Sequence, residues 1–417
     1  MNTLTETWRD LRVDAERMQA GFDELAQIGA TREGGVHRPT FSEAHLAARK
    51  WFRAQIENAG LEFRTDGAGN HSAFLAQGEG EAPTLLLGSH LDSVPNGGRF
   101  DGALGVMAAF EVLRTIQDAG LQLKWNLEAI DFTDEEGTLV GLLGSAALAG
   151  WLDPAVLQTP RGGRDALLAG MERAGVSEES MLGAARPRGS LAGYLELHIE
   201  QGKHLERAGI NIGIVSAIVG IWSYRLSFLG RADHAGTTTM SDRRDASLGA
   251  SEFTLAARDI VINDFRDCVV NIGNMDFSPG AFNIVPERVD VSLEFRSADE
   301  GKFKRMDSIL LAHAQEAADR FGLQLKVKSL GRHSPSLMDK QVQSTFASAC
   351  DDLGLTHISL PSGAGHDGQS FDELCPAGMI FVPSKDGASH SAREYTEWQD
   401  CVNGANVLLQ TVLRLAM

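Results

Sequence analysis

The chain has 417 residues, 43% hydrophobic and 23% charged, an ordinary globular composition but too long for one core, so two domains are expected. A formal net charge of −18 argues against a nucleic-acid or anionic-membrane surface and points to small-molecule partners. Cys268, Cys350, Cys375 and Cys401 stand far apart with no CxxC pair, which disfavours a disulfide framework or thiolate zinc site and fits a reducing compartment.

The start of the chain, with Arg9, Asp10, Arg12 and Asp14, has no apolar stretch of signal-peptide type, and no run of eighteen apolar residues follows, so a cytoplasmic location is expected. From about residue 40 to 210 strand-like and helix-like stretches alternate, the grammar of βαβ units. Residues 41–59 place Ala44, Ala47, Ala48, Trp51, Phe52 and Ile56 at helical spacing, with Gly60 as a stop signal. An apolar strand at 84–87 runs into Ser89-His90-Leu91-Asp92, and another at 127–132 runs into Asp134-Glu135-Glu136. The Gly/Arg-rich stretch 161–190 is expected to be a surface excursion, and a third strand at 194–197 runs into His198.

From 213 to 329 the pattern changes. Residues 214–228 are strand-like, 245–261 helical, 269–275 and 289–295 strands, 303–321 helical and 323–327 a strand. This β-α-β-β-α-β order predicts a ferredoxin-like α+β unit inserted into the larger domain. The α/β pattern resumes with a helix at 341–353 and a strand at 379–382 leading towards Ser389-His390-Ser391, and ends in a helix at 401–415. The expected organisation is a larger domain of 1–212 and 330–417 around an inserted domain of 213–329.

In an open α/β sheet ligands bind at the carboxyl ends of the strands, so His90, Glu135, Glu136, His198 and His390 are expected to converge. His90-Leu91-Asp92 followed after eight residues by Asp101-Gly102-Ala103-Leu104-Gly105 is the strongest constellation. An HxD alone is more often a polar turn; with the small-residue run after it, a neutral imidazole and a carboxylate become good ligands for zinc or manganese. Asp92 is placed to accept the other imidazole N–H. Of two adjacent carboxylates, one can bind metal while its neighbour serves as general base, although an isolated acidic run more often begins a helix. In the inserted unit Arg296 suits a bidentate grip on a carboxylate and Asn283 a single oxygen or amide.

These motifs resemble the M20 family of binuclear metallopeptidases and amidohydrolases, in its branch of N-carbamoyl-L-amino acid hydrolases, allantoate amidohydrolases and β-ureidopropionases. The resemblance covers nearly the whole chain: GSHLDSVPNGGRFDGALG at 88–105, TDEEG at 133–137, LHIEQG at 197–202, DHAGTT at 233–238, NIVP at 283–286, SGAGHD at 362–367 and PSKDGASHS at 383–391. It implies a zinc-peptidase-like catalytic domain with a mixed central sheet flanked by helices, and an inserted lid and dimerisation domain. It also implies two divalent ions per subunit, zinc or manganese, cobalt or nickel: one held by His90, Asp101 and His198, the other by Asp101, Glu136 and His390.

By the same resemblance Glu135 is the proton shuttle, and Gln201, Asn283 and Arg296 hold the substrate. His234 reaches the neighbouring subunit's metal site in a homodimer, and Gly365 is a likelier direct ligand contact than His366 because bare backbone approaches closely. His198, where other branches carry a carboxylate, points to the carbamoylase and ureidohydrolase branch instead of aminoacylases or peptidases, and the expected reaction is cleavage of N-carbamoyl-L-amino acids to amino acid, carbon dioxide and ammonia. Allantoate or ureidoglycolate, N-carbamoyl-β-alanine and N-acyl amino acids are the alternatives, and a silent binding relative is disfavoured because no ligand is lost. Leu139-Val140 stand where branch members often carry Arg-Phe, Thr239 and Ala392 where proline is usual, and these departures bear on substrate choice.

Overall fold

The computed structural model describes residues 7–78, 80 and 82–417; residues 1–6 of the expected larger domain therefore lie outside the described residues. In chain order the strands are β1 (Glu62–Thr65), β2 (His71–Leu75), β3 (Thr84–His90), β4 (Asn126–Phe132), β5 (Leu191–Ile199), β6 (Ile212–Ile218) and β7 (Gly220–Leu229). They continue with β8 (Val269–Asn271), β9 (Met275–Ser278), β10 (Arg288–Ser297), β11 (Gln324–His333), β12 (Ser336–Leu337), β13 (His357–Ser362) and β14 (Ala377–Val382).

The chain divides into two compact units, one of Met1–Ser216, Leu337–Leu360 and His366–Met417, the other of Ala217–Ser336 and Pro361–Gly365. The first is built on a sheet ordered β1-β2-β4-β3-β5-β14-β6-β12, with β13 paired to β6. It is mixed: β3 runs parallel to β4 and β5, and β14 to β5, whereas β2–β4 and β14–β6 are antiparallel. Every residue of β3 and β14 is buried, which explains their continuous apolar runs. Helix Ala103–Asp118 packs on β3, β4 and β5 and is buried along almost its whole length, as its Ala/Leu/Val sequence requires. Helix Glu43–Asn58 is started by the Ser42 side chain, which accepts the His45 N–H, and buries Ala48, Phe52 and Ile56 at four-residue spacing.

The second unit has the sheet order β11-β7-β10-β8, with β9 also on β10, all antiparallel. Helices Ala246–Asp264 and Glu300–Arg320 complete the ferredoxin-like order. β10 alternates, burying Val289, Val291, Leu293 and Phe295 against the helices.

Four local expectations are corrected. The strand-like stretch 214–228 is two strands in two sheets, separated at Val219, whose N–H is taken by Ser362 O at 3.0 Å. The strand expected at 269–275 is interrupted between Asn271 and Met275, where Asn274 exchanges bonds with Ser292 instead of continuing the ladder. The last strand of the unit runs to His333, further than its apolar residues suggested, because most of β11 is exposed. The stretch 161–190 holds helices Arg164–Ala174 and Glu178–Leu182, which bury Leu167, Met171 and Met181 with Phe41, Leu139 and Leu143. It is a small packed layer over the loop that follows β4. No helix among the described residues is long and apolar enough to cross a membrane.

Candidate metal centre

At β3 the strand order reverses, with β4 on one side and β5 on the other, and a crevice outside the carboxyl ends at such a point is where α/β sheets bind ligands. His90 is the last residue of β3, His198 the penultimate residue of β5, and Asp134-Glu135-Glu136 follow β4. The next turn brings Asp101 in. Gly102 caps helix Ala103–Asp118 with φ +63°, and a Cβ there would lie 2.5 Å from both nitrogens of the His90 ring. Only glycine lets the Asp101 backbone approach the imidazole.

The two carboxylate oxygens of Asp101 serve different neighbours. Oδ1 lies 3.1 Å from His198 Nε2 and 3.7 Å from His90 Nε2, while Oδ2 lies 3.4 Å from His390 Nε2. Glu136 Oε2 is also 3.4 Å from His390 Nε2, and Glu135 Oε2 is 3.5 Å from His90 Nε2. Two donor groups result, His90–Asp101–His198 and Asp101–Glu136–His390, with Asp101 common to both. The first is sealed, its histidine side chains 1% exposed, whereas the His390 side chain is 54% exposed. A third group, Glu196–His198–His366, shares His198, but Glu196 already accepts from Ser89, Tyr194 and Gly368.

The ring orientations suit metal ligation. His90 Nδ1 lies 3.0 Å from the Asp92 carbonyl and His198 Nδ1 2.9 Å from the Ile199 carbonyl. A carbonyl only accepts, so each Nδ1 carries hydrogen and the lone pair of the neutral ring is at Nε2, facing Asp101. Imidazole nitrogens and carboxylate oxygens without thiolates are the donor set of zinc, manganese, cobalt or nickel, so the residues fit the implied ions.

Asp92 departs from expectation. Its carboxylate is 3.8 Å from His90 Nδ1, and its closer partners are the Thr40 hydroxyl at 2.9 Å and the Glu135 N–H at 3.3 Å. The chain turns after β3 so that the main-chain carbonyl of residue 92 faces the ring, leaving the side chain to fix Glu135. Asp134, with φ +58°, accepts the N–H groups of Leu139, Val140 and Gly141 and shares the Thr40 hydroxyl with Asp92, which tightens the acidic turn.

Ionisable groups are concentrated here at low exposure. Burial, then Asp367 and Glu136, pushes the Glu135 carboxyl well above the usual range, and burial with Asp101 pushes Glu136 up to about 7. Burial lowers His90 to about 4. Burial would lower His198 as well, but its bond to Asp101 prevails and lifts it to about 9; His390 is raised to about 9 by its own bond to Asp101. Divalent cations, if bound among these groups, would hold the carboxylates ionised and the imidazoles neutral.

The remaining expected site residues are divided between the units. Gln201, in a left-handed conformation at φ +56°, donates Nε2 to Asp101 Oδ2 at 2.8 Å and to Ser389 Oγ at 3.2 Å. His366 is buried with its ring 4.5 Å from that of His198. In the second unit His234 is exposed on a turn, its Nδ1 accepting the N–H groups of Gly236 and Thr237, and the Asn283 carbonyl accepts from Ala235 beside it. Arg296 is paired with Glu294 at 2.8 Å and donates to the Gly363 carbonyl at 2.9 Å, in the loop that includes Gly365.

Residue-type reasoning missed several groups. Asp131 is buried in β4, salt-bridged to Arg49 at 2.7 Å and accepting the Leu91 N–H at 2.8 Å next to His90. Buried Arg38 donates to the Leu91 carbonyl at 3.0 Å. Glu394 and Ser389 flank Asp101. Charged residues inside an apolar strand, as Glu128 and Asp131 are in LEAIDF, were the available signal.

Residues 86–414 match the model of peptidase family M20/M25/M40. The chain belongs to this family. It is 37% identical to the N-carbamoyl-L-amino acid amidohydrolase of Geobacillus stearothermophilus over 97% of this chain and 99% of that protein. It is 33% identical to a ureidoglycolate hydrolase of Arabidopsis thaliana over 98% of this chain and 88% of that protein. The crystal structure of an amidase of the hydantoinase/carbamoylase family from Burkholderia multivorans matches with a TM-score of 0.88 and 31% identity, covering 97% of this chain and 98% of that one. The family resemblance and the α/β class with a mixed sheet are borne out. M20 proteins are hydrolases, typically metal-dependent, and the chain carries residue groups suited to holding metal.

Proposed function

We propose that this protein hydrolyses the ureido C–N bond of N-carbamoyl-L-amino acids, with two divalent ions per chain. The carrying observation is the position of Asp101 between two donor groups with Glu135 at their edge. The full-length likeness to an N-carbamoyl-L-amino acid amidohydrolase supports the substrate class. His90 and His198 would hold one ion, Glu136 and His390 the other, and Asp101 both. When bound, such ions polarise a carbonyl and lower the pKa of water to about 7.

The chain's own residues supply the proton transfers. Glu135, out of bulk water and oriented through the Asp92 carboxylate on its N–H, takes a proton from the attacking water. The water oxygen bonds to the ureido carbon, the bond from that carbon to the amino acid nitrogen breaks, and Glu135 delivers the proton to that nitrogen. The amino acid leaves, and the carbamic acid that remains falls apart to carbon dioxide and ammonia.

In this reading residues 1–212 and 330–417 are the catalytic domain and 213–329 a lid and dimerisation domain of a cytoplasmic homodimer. Arg296, Asn283, Gln201 and Gly365 grip the substrate, and His234 stabilises the oxyanion in the partner's site. Arg296 must then trade Glu294 for the substrate carboxylate, and Gln201 must turn from Asp101. A panel of N-carbamoyl-L-amino acids, ureidoglycolate, allantoate, N-carbamoyl-β-alanine and N-acyl amino acids, assayed with zinc, manganese, cobalt or nickel, tests the proposal. N-carbamoyl-L-amino acids should give the highest kcat/KM; preference for ureidoglycolate or allantoate would overturn the substrate, and full turnover after chelation the mechanism.

A further inference from the structure

Glu394 is 6% exposed and belongs to neither donor group, yet its carboxylate is tied to Asp101 from two directions. Oε1 accepts the main-chain N–H groups of Phe100 at 2.8 Å and of Asp101 itself at 3.0 Å. Oε2 lies 3.1 Å from the Ser389 hydroxyl, which in turn lies 2.9 Å from Asp101 Oδ2. One hydroxyl proton cannot serve two acceptors at once, and Gln201 Nε2 gives Oδ2 a second donor. The fold makes room for this. Gly98 faces the Glu394 carboxyl so closely that a Cβ there would overlap it, while its backbone is not in the left-handed region.

We propose that Glu394 is a positioning residue that sets the Asp101 backbone through Oε1 and the Asp101 carboxylate, by way of Ser389, through Oε2. The role rests on the reading that Asp101 bridges two ions. A bridging carboxylate has to present each oxygen in a fixed direction, and Asp101 sits before a glycine cap that offers no side-chain restraint of its own. Glu394 supplies that restraint from the loop after β14, on the other side of the sheet order from β4.

The test is a titration of the chelated protein with Co2+ or Zn2+, read by absorption or a competing indicator, together with thermal melting. Glu394→Ala should bind ions about 10–100-fold more weakly, the range for loss of such a supporting partner. Glu394→Gln should recover most of that affinity, because its amide oxygen still accepts both N–H groups and its NH2 can donate to Ser389. Gly98→Ala, which displaces the Glu394 carboxyl while leaving every polar group in place, should resemble Glu394→Ala, and it carries the test if Glu394→Ala does not fold. Wild-type affinity in folded Glu394→Ala or Gly98→Ala overturns the role. With Asp101→Asn as control, loss of ions there but in neither other variant overturns Glu394 alone; a wild-type protein that takes up no ion overturns the two-ion reading as well.

Discussion

Gly102 touches the His90 imidazole: a methyl group at that position would stand 2.5 Å from both ring nitrogens, on a backbone at φ +63°. Gly102→Ala therefore has to move the ring or the capping turn. Overpacking of this kind costs about 1–3 kcal/mol, and the positive φ adds to it. Thermal melting should show the loss, and metal titration should show weaker binding with the ligand set intact. Unchanged melting and metal content would mean that His90 has freedom the packing does not suggest.

Glu135 and Glu136 are neighbours with separable roles. Glu135→Gln should lower kcat by about 10²–10⁴-fold while the ions remain, since only proton transfer is removed. Glu136→Gln should lose the ion it shares with the exposed His390. Metal analysis beside steady-state kinetics separates the two, and equal metal loss in both variants would reverse the assignment.

The metal-free protein should lose stability as pH rises from about 6.5 to about 9. Contact with Asp101 raises His198 and His390 to about 9, overcoming burial in the first case and outweighing it in the second. An unfolded histidine titrates near 6.5, so their stabilisation is complete below that pH and disappears as pH passes through about 9. Buried His45, His71, His90 and His366, all lowered, are neutral when folded and lose their unfolded-state charge within about one pH unit above 6.5, so over the rest of the window they do not cancel the trend. Ion binding needs neutral imidazoles, so the gap in melting temperature between loaded and chelated protein should widen with pH. A constant gap would place the titration of these two histidines elsewhere.

In the second unit the effects should separate by kinetic constant. Arg296→Ala should raise KM for carboxylate substrates by an amount equivalent to about 2–5 kcal/mol, the cost of leaving a buried charge unpaired. His234→Ala should mainly lower kcat. Mixing inactive His234→Ala and Glu135→Gln protomers should restore activity, because a hybrid dimer contains one site with both wild-type residues. Verified heterodimers without recovery would exclude action across subunits.

Part of the donor set was legible because some members sit where a buried strand ends, and strand ends are visible as apolar runs cut off by polar residues. His90, His198 and the Asp134–Glu136 turn were found in this way. The partner of His90 Nδ1 was not, since whether a side chain or a carbonyl faces the ring depends on the path of the turn after β3. Glu394 was missed for a related reason: it lies in a loop, and what marks it is contact with residues nearly 300 positions away. The break at Val219 was hidden because one strand follows another with a single residue between them while the two belong to different sheets.

The position of β14 between β5 and β6 has a consequence for biosynthesis. The seam between those two strands cannot close until residues 377–382 have left the ribosome, whereas Ala217–Ser336 forms nearly all of a compact unit from contiguous chain. Folding should thus be out of order with respect to synthesis: the inserted unit matures while the earlier sheet still has unpaired edges, and long-range pairing of this kind is slow and prone to aggregation. Chains truncated before residue 377 should contain a protease-resistant second unit and an open first one, so the final stretch of the polypeptide decides when the sheet of the first unit is completed.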